Sequence, residues 1–278
     1  MPIRVLEQYV LGKQADQSLC EDRLVVTSQF VAVIDGVTSK SEYNWHNDSS
    51  GVRAGKLIAQ VLENAAPDIC FDAFLKSINR SFQNVYADLG MTAHMNERPQ
   101  DRMQACLCAY SLGRNELWFV GDCQALVAGV LYGYPKKIDA LCAELRSVVI
   151  ETELRNGRTH DEIRADDPGR RFILPLIKAT QCFGNADTGH PYDFAVIDGT
   201  PVPRKHRHVH RLDSLPQEIV IASDGYPILL ATLDQSEAYL RDLNANDPLC
   251  FRENKSTKGL SPGLNSFDDR TYIRFLAE

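Results

Sequence analysis

The sequence predicts an α+β chain in which strands paired as hairpins are flanked by pairs of helices. Three stretches carry that expectation. Residues 30–34 (FVAVI) form an apolar, β-branched run, and residues 24–27 form another just before it, with only Ser28-Gln29 left for a tight turn. From Gly51 the period changes to that of a helix. Ala54, Leu57, Ile58, Val61 and Leu62 share one face, and after Pro67 a second series repeats the pattern: Phe71, Phe74, Leu75, Ile78, Phe82, Val85 and Leu89. Residues 105–110 and 116–120 then read as a second hairpin around Leu112-Gly113-Arg114-Asn115. A length of 278 residues does not by itself choose between one large unit and two small domains.

Composition narrows the class. Hydrophobic content of 44% and charged content of 24% are those of an ordinary globule with a substantial core. A formal charge of −7 and a pI near 5.5 argue against a partner recognised through a phosphate backbone, so no nucleic acid is expected. The first residues, MPIRVLEQYVLG, lack the apolar stretch and cleavage pattern of a signal peptide, and no run of about 18 apolar residues offers a membrane span. The eight cysteines are scattered without a CxxC pair, which suits small core residues in a reducing compartment. A cytoplasmic protein that binds no membrane is the expectation.

Taken in order, residues 3–11 alternate as a first strand and lead through Gly12 to Glu21-Asp22. Since the hairpin midpoint lies between residues 28 and 29, Asp22 and Asp35 become cross-strand neighbours, with Cβ atoms roughly 5 Å apart. The polar stretch VTSKSEYNWHNDSS that follows Asp35-Gly36 has no period and reads as a loop over the carboxylate end. GVRAGK, residues 51–56, is one residue short of a phosphate loop and has Leu57 in place of the required hydroxyl, so it reads as the start of a helix.

The second hairpin ends in Gly121-Asp122, another acid at a strand end. Residues 139–154 are helical, Thr159 and Glu162 form a capping box for a further helix, and Pro168-Gly169 and Pro175 interrupt the region. It reads as a helical insert around residues 139–185 within a single domain, residues 1–278. FAVIDG at 194–199 echoes the opening motif, but it continues as TPVPRKHRHVH, which makes Asp198 a turn acid. On a strand His206, His208 and His210 would face one way, as a zinc site needs; among Arg204, Lys205, Arg207 and Arg211 a solvated edge strand is expected instead. EIVIAS then ends in Asp224-Gly225, a helix covers residues 234–244, and Asp268-Asp269 precede a last strand at 271–276. If those two strands pair antiparallel, Asp224 and Asp268 sit at the same end.

One Asp-Gly after a strand is an ordinary turn. Several acids converging on one rim are different, because two unit charges about 4 Å apart repel by roughly 4 kcal/mol at an effective dielectric near 20. Such a cluster needs a raised pKa, a basic partner or a hard cation such as Mg2+ or Mn2+. No GxSxG elbow is present, and no cysteine has an evident histidine partner, so the pattern does not point to a protein nucleophile.

The order of these motifs resembles the PP2C-like family of metal-dependent Ser/Thr protein phosphatases: an ED before the first hairpin, VIDG, VGD, ASDG and a closing DDRT, over residues 20–272. Each motif alone is weak; five in the family's order are specific. The resemblance implies a four-layer α-β-β-α sandwich, two antiparallel sheets with helices outside, and a hydrolase acting on phosphoserine and phosphothreonine by attack of a water held between two metal ions. It implies Mn2+ or Mg2+, two ions with a third, weaker site. Asp35 would bridge the pair, the Gly36 carbonyl would ligate one ion, Asp224 and Asp268 the other, and Glu21 would act through water. Asp122 would share the third site with Asp224, and Asp35 and Asp224 would be the catalytic pair. The partner implied is a phosphoprotein, with a Ser/Thr kinase opposing.

Two positions depart from the family pattern. Its DGHGG is here DGVTS, so Val37 replaces a histidine proposed to protonate the leaving group, and the arginine that grips phosphate is Gln17. Lys13, His46 and Arg53 are candidate substitutes. Loss of a general acid slows a reaction by about 10²- to 10⁴-fold without abolishing it. The same departures motivate the alternative, a catalytically weak or inactive pseudophosphatase that binds a phosphoprotein as a regulatory module.

Overall fold

A computed structural model of the chain describes residues 3–41, 43–45, 48–213, 215 and 217–278. Strands β1 (Ile3–Leu11), β2 (Arg23–Val26) and β3 (Phe30–Gly36) lead into helices α1 (Ser50–Glu63), α2 (Phe71–Asp88) and the short α3 (Thr92–Glu97). Then come β4 (Ala105–Ser111), β5 (Glu116–Val120), β6 (Gln124–Val127) and β7 (Val130–Tyr132), and helices α4 (Lys137–Arg155), α5 (His160–Ala165) and α6 (Pro168–Ala179). Strands β8 (His208–Arg211) and β9 (Gln217–Ala222), helix α7 (Leu233–Asn246) and strand β10 (Arg270–Ala277) complete the order. No helix of the described residues is long and apolar enough to cross a membrane.

The strands form two five-stranded antiparallel sheets, ordered β1-β10-β9-β6-β7 and β2-β3-β4-β5-β8. Strand alternation distributes the core. Phe30, Ala32 and Ile34 of β3 pack with Ile58, Leu62, Phe74 and Ile78 of α1 and α2, while Val31 and Val33 face the second sheet at Ile219, Ile221, Ile273 and Phe275. The outer face of that sheet carries Val220, Ala222 and Tyr272 against Leu240 of α7. The layers are therefore α1/α2, sheet, sheet and α7, an α-β-β-α sandwich.

Helices α4 and α6 share a cluster of their own, Ile138, Cys142, Ile173 and Ile177. They are tied to the chain after α7 by Arg146, whose side chain is 0% exposed and pairs with Asp167 at 2.7 Å. Its guanidinium also donates to the carbonyls of Leu249, Cys250 and Ser256 at 2.7, 3.0 and 3.0 Å.

Two details differ from the sequence reading, the β6–β7 hairpin and the histidine strand, and one expected turn is found. The β6–β7 hairpin was not anticipated; its turn is Ala128-Gly129, with both residues at positive φ. FAVIDG makes two isolated bridges, Phe194 to Gly184 and Ile197 to Ala105, and Asp198 is the turn acid expected, capping its own turn at Thr200 and pairing with Arg102 at 2.9 Å. His206 lies in a 3-10 turn before β8, so only His208 and His210 share a strand face. That face is half-buried: Tyr134 stacks on His208 at 3.5 Å, and its hydroxyl meets His210 Nε2.

Candidate active site

All the strand-end acids lie at one rim, and the register explains why. Pairing of Arg23 with Ile34 sets the β2–β3 hairpin one step short of Asp22 opposite Asp35. Alternation then turns Asp35 to the side of Val31 and Val33, between the sheets. Asp122 lies where the chain crosses from β5 in one sheet to β6 in the other. Gly121 makes the crossing possible: its φ is +85°, and a Cβ there would fall 2.3 Å from Cys106 Sγ. Antiparallel pairing of β9 with β10, Tyr272 opposite Ala222, brings Asp224 and Asp268 to the same end, as the sequence led one to expect.

Asp35, Asp122 and Asp224 each place a carboxylate oxygen within 4.8 Å of the others. Asp35 and Asp122 are partly buried, whereas Asp224 reaches the open cavity above them. Burial, then the charges of Asp22, Asp122 and Asp268, pushes the Asp35 carboxyl well above its usual range; the protein mass enclosing the cavity, then Asp35, Asp122 and Asp268, does the same to Asp224 although its side chain faces the opening. Burial opposes the charge of Asp122 too. There Lys136, 2.9 Å away, outweighs it and holds the carboxyl below its usual range.

The other expected ligands are engaged differently. Glu21, 4% exposed, accepts from Ser49 Oγ at 2.7 Å, from Thr38 Oγ1, and from Lys13 Nζ at 3.3 Å. Asp268 is held by Lys13 Nζ at 3.3 Å and by Lys258, which together keep its carboxyl down at about 2 although burial alone would raise it. Gly36 lines the cavity beside Asp35. Asp269 acts as a clamp, accepting from Lys13 N at 2.7 Å, Lys13 Nζ at 3.0 Å and Glu21 N at 3.1 Å. Asp22 is buried against Ser223 Oγ at 2.6 Å, and burial raises its pKa to about 8.

Above the acids opens a cavity of about 710 Å³. Lys13, Lys40, Lys136, Arg170, Lys255 and Lys258 line it, with walls from α4, α6 and residues 254–259. Burial, then the neighbouring charges of Lys258, Arg170 and Lys136, pulls the Lys40 pKa down to about 8. Apart from Lys13, the sequence reading missed these cations. They come from four separated segments, and nothing local distinguishes them from surface lysines.

Of the proposed substitutes for the missing histidine and arginine, Lys13 enters the cavity and Val37 lines it without a proton to give. Arg53 turns to the Trp45 carbonyl at 2.9 Å and lies over its ring. Gln17 fastens its own loop by accepting from Gly12 N at 2.7 Å. His46 lies outside the described residues.

No protein-family model matches the chain, and no curated protein matches it. Solved structures do resemble it. The serine/threonine phosphatase PstP/Ppp of Mycobacterium tuberculosis is 16% identical, with 100% of both chains covered and a TM-score of 0.49. PppA of Pseudomonas aeruginosa, described as a key regulatory component of a type VI secretion system, is 15% identical over 100% of this chain and 99% of its own, with a TM-score of 0.48. RsbX in complex with magnesium is 13% identical over 99% and 100%, with a TM-score of 0.46.

Proposed function

We propose that the chain is a metal-dependent phosphatase that hydrolyses phosphoserine and phosphothreonine in proteins, opposing a Ser/Thr kinase. One observation carries the reading: three carboxylates meet at the floor of a cavity whose walls present six cations. Although the chain is acidic overall, its cavity is basic above and acidic below. That arrangement suits an anion brought against a divalent cation.

The residues fit such an ion. The donors are hard oxygens, and Asp122 Oδ1 is buried without a hydrogen-bond partner among the described residues. Asp35, Asp122 and Asp224 would hold Mn2+ or Mg2+. When bound, the ion supplies Lewis acidity toward a phosphoryl oxygen and lowers the pKa of water. Around it, Lys136 fixes Asp122, the cavity lysines and Arg170 attract and orient the phosphoryl group, and α4 and α6 wall the site from bulk water. Lys40, titrating near 8, can deliver a proton to the leaving alkoxide in place of the absent histidine. All eight cysteines are free, which fits a cytoplasmic setting.

The pseudophosphatase alternative draws on the engagement of Glu21 and Asp268 by Lys13 and Lys258. Hydrolysis of an aryl phosphate with and without Mn2+ separates the two, since a good leaving group needs no acid. The enzyme predicts Mn2+-dependent release that Asp35→Asn removes; equal inertness of wild type and variant abandons turnover in favour of binding.

A further inference from the structure

The ammonium of Lys13 occupies an unusual place for a lysine. Four oxygens from remote segments converge on Nζ: Asp269 Oδ2 at 3.0 Å, Thr38 Oγ1 at 3.1 Å, Glu21 Oε2 at 3.3 Å and Asp268 Oδ1 at 3.3 Å. The side chain is 13% exposed, and its own backbone N–H is tied to Asp269 Oδ1 at 2.7 Å, so the lysine is anchored at both ends.

We propose that the site takes one divalent cation, at Asp35, Asp122 and Asp224, and that Lys13 is its permanent second cation, held by Glu21, Asp268 and Asp269. The arrangement offsets most of the charge, with two ammoniums facing three carboxylates. Three carboxylates surround Lys13, and Lys258 covers the far oxygen of Asp268. A second divalent ion between Glu21 and Asp268 would have to expel an ammonium from its carboxylates, because both would claim the same oxygens, Glu21 Oε2 and Asp268 Oδ1. Anchoring by Asp269 and the burial of Glu21 oppose that expulsion. Asp122 Oδ1, by contrast, still has an oxygen to give. The proposal rests on the phosphatase reading only in that it takes the three-carboxylate site to hold a divalent cation.

The test counts ions without any phosphate ester. Chelator-stripped protein is titrated with Mn2+ and bound metal is measured per chain, alongside Lys13→Met and Lys13→Arg. One ion in wild type, one in Lys13→Arg and two in Lys13→Met are expected, because Met leaves the acids without a counter-charge while Arg keeps it. Two ions in wild type, none, or a single ion in a folded Lys13→Met overturns the proposal. If Lys13→Met does not fold, acylation of wild-type amines decides: Lys13 stays as protected at saturating Mn2+ as in chelator, whereas exposure on adding Mn2+ means that the metal displaces it, against the proposal. Absence of turnover with one ion bound sinks the phosphatase reading and leaves the ion count standing; turnover with two ions does the reverse.

Discussion

Gly36 and Gly51 touch backbone to backbone: a Cβ on Gly36 would lie 2.6 Å from the Gly51 carbonyl oxygen, and one on Gly51 would lie 2.9 Å from the Gly36 carbonyl carbon and 2.6 Å from Glu21 Oε1. The first turn of α1 is thereby pressed against the strand end that bears Asp35. Ser49 both caps α1 at Val52 N and donates to Glu21, so helix start and acid are fixed together.

Gly51→Ala is expected to destabilise the chain by about 1–3 kcal/mol, since neither backbone nor buried carboxylate can yield. Gly55→Ala in the same helix is the control. Its Cβ would meet the flexible Arg23 side chain at 3.1 Å and the Glu21 carbonyl at 3.2 Å, and helix propensity gains, so it should lose far less. Urea denaturation of both variants checks the difference.

Saturation with Mn2+ should raise the melting temperature. At about 100 times the dissociation constant a ligand of the folded state contributes roughly 2.7 kcal/mol, a shift of several degrees. Asp224→Ala should abolish the shift in differential scanning fluorimetry while leaving the metal-free protein folded, because Asp224 lies open to the cavity.

Lys40→Met should stabilise the protein at neutral pH. The folded-state pKa of about 8 lies below the ordinary 10.5, so below pH 8 the cost of a charged Lys40 is fully present. As pH rises from 8 to about 10.5 the folded form sheds the proton first and stability recovers. The variant's advantage, about 2–4 °C per kcal/mol, should therefore vanish above that window. Release from an alkyl phosphate should fall more than release from an aryl one.

Asp101 fastens the loop after Gly36. Its carboxylate accepts from Ser41 Oγ and from Arg98 Nε at 2.7 Å and lies 2.7 Å from His94 Nε2, while its carbonyl accepts from Trp45 Nε1 at 3.1 Å. Burial would raise its pKa, but these bonds outweigh burial and hold it below the usual range. The stabilisation is thus present above about pH 4 and is lost as pH falls through the depressed value. Asp101→Asn should cost about 1.5–3 kcal/mol at pH 7, and the gap to wild type should close as pH falls from about 4 through the depressed value.

Arg146→Ala should cost about 3–5 kcal/mol, because it leaves Asp167 Oδ2 and the carbonyls of Leu249, Cys250 and Ser256 without their donor. Arg146→Lys should recover little of this, since an ammonium cannot reproduce the fork. Limited proteolysis should then cut within residues 248–259, the segment that Arg146 anchors and whose residues 254–259 wall the cavity.

Strand and helix positions were legible where a period spans a whole element. β1 falls on the residues that alternation indicates and β5 on the run that the hairpin turn before it delimits, while α1 and α2 follow from their apolar stripes because one buried face sets both spacing and direction. β6 and β7 escaped notice: four and three residues are too few to show a period. The rim of acids was legible for a topological reason. Hairpin symmetry fixes Asp22 opposite Asp35, and antiparallel pairing fixes Asp224 near Asp268, before any coordinate is known.

What the sequence determined by itself is therefore which acids end which strands, since register depends only on counting residues along paired chains. The tertiary structure decided which charges meet them. Lys40, Lys136 and Lys258 look like surface lysines in the sequence, Lys13 stood out only as a candidate phosphate ligand, and Arg146 looks like one more polar residue on a helix. Their partners lie up to some 250 positions away in the chain. Coulomb attraction and desolvation act through space, so only packing of the sheets against α4, α6 and the final loop could reveal that Lys13 is buried among three carboxylates while Asp122 keeps an oxygen free.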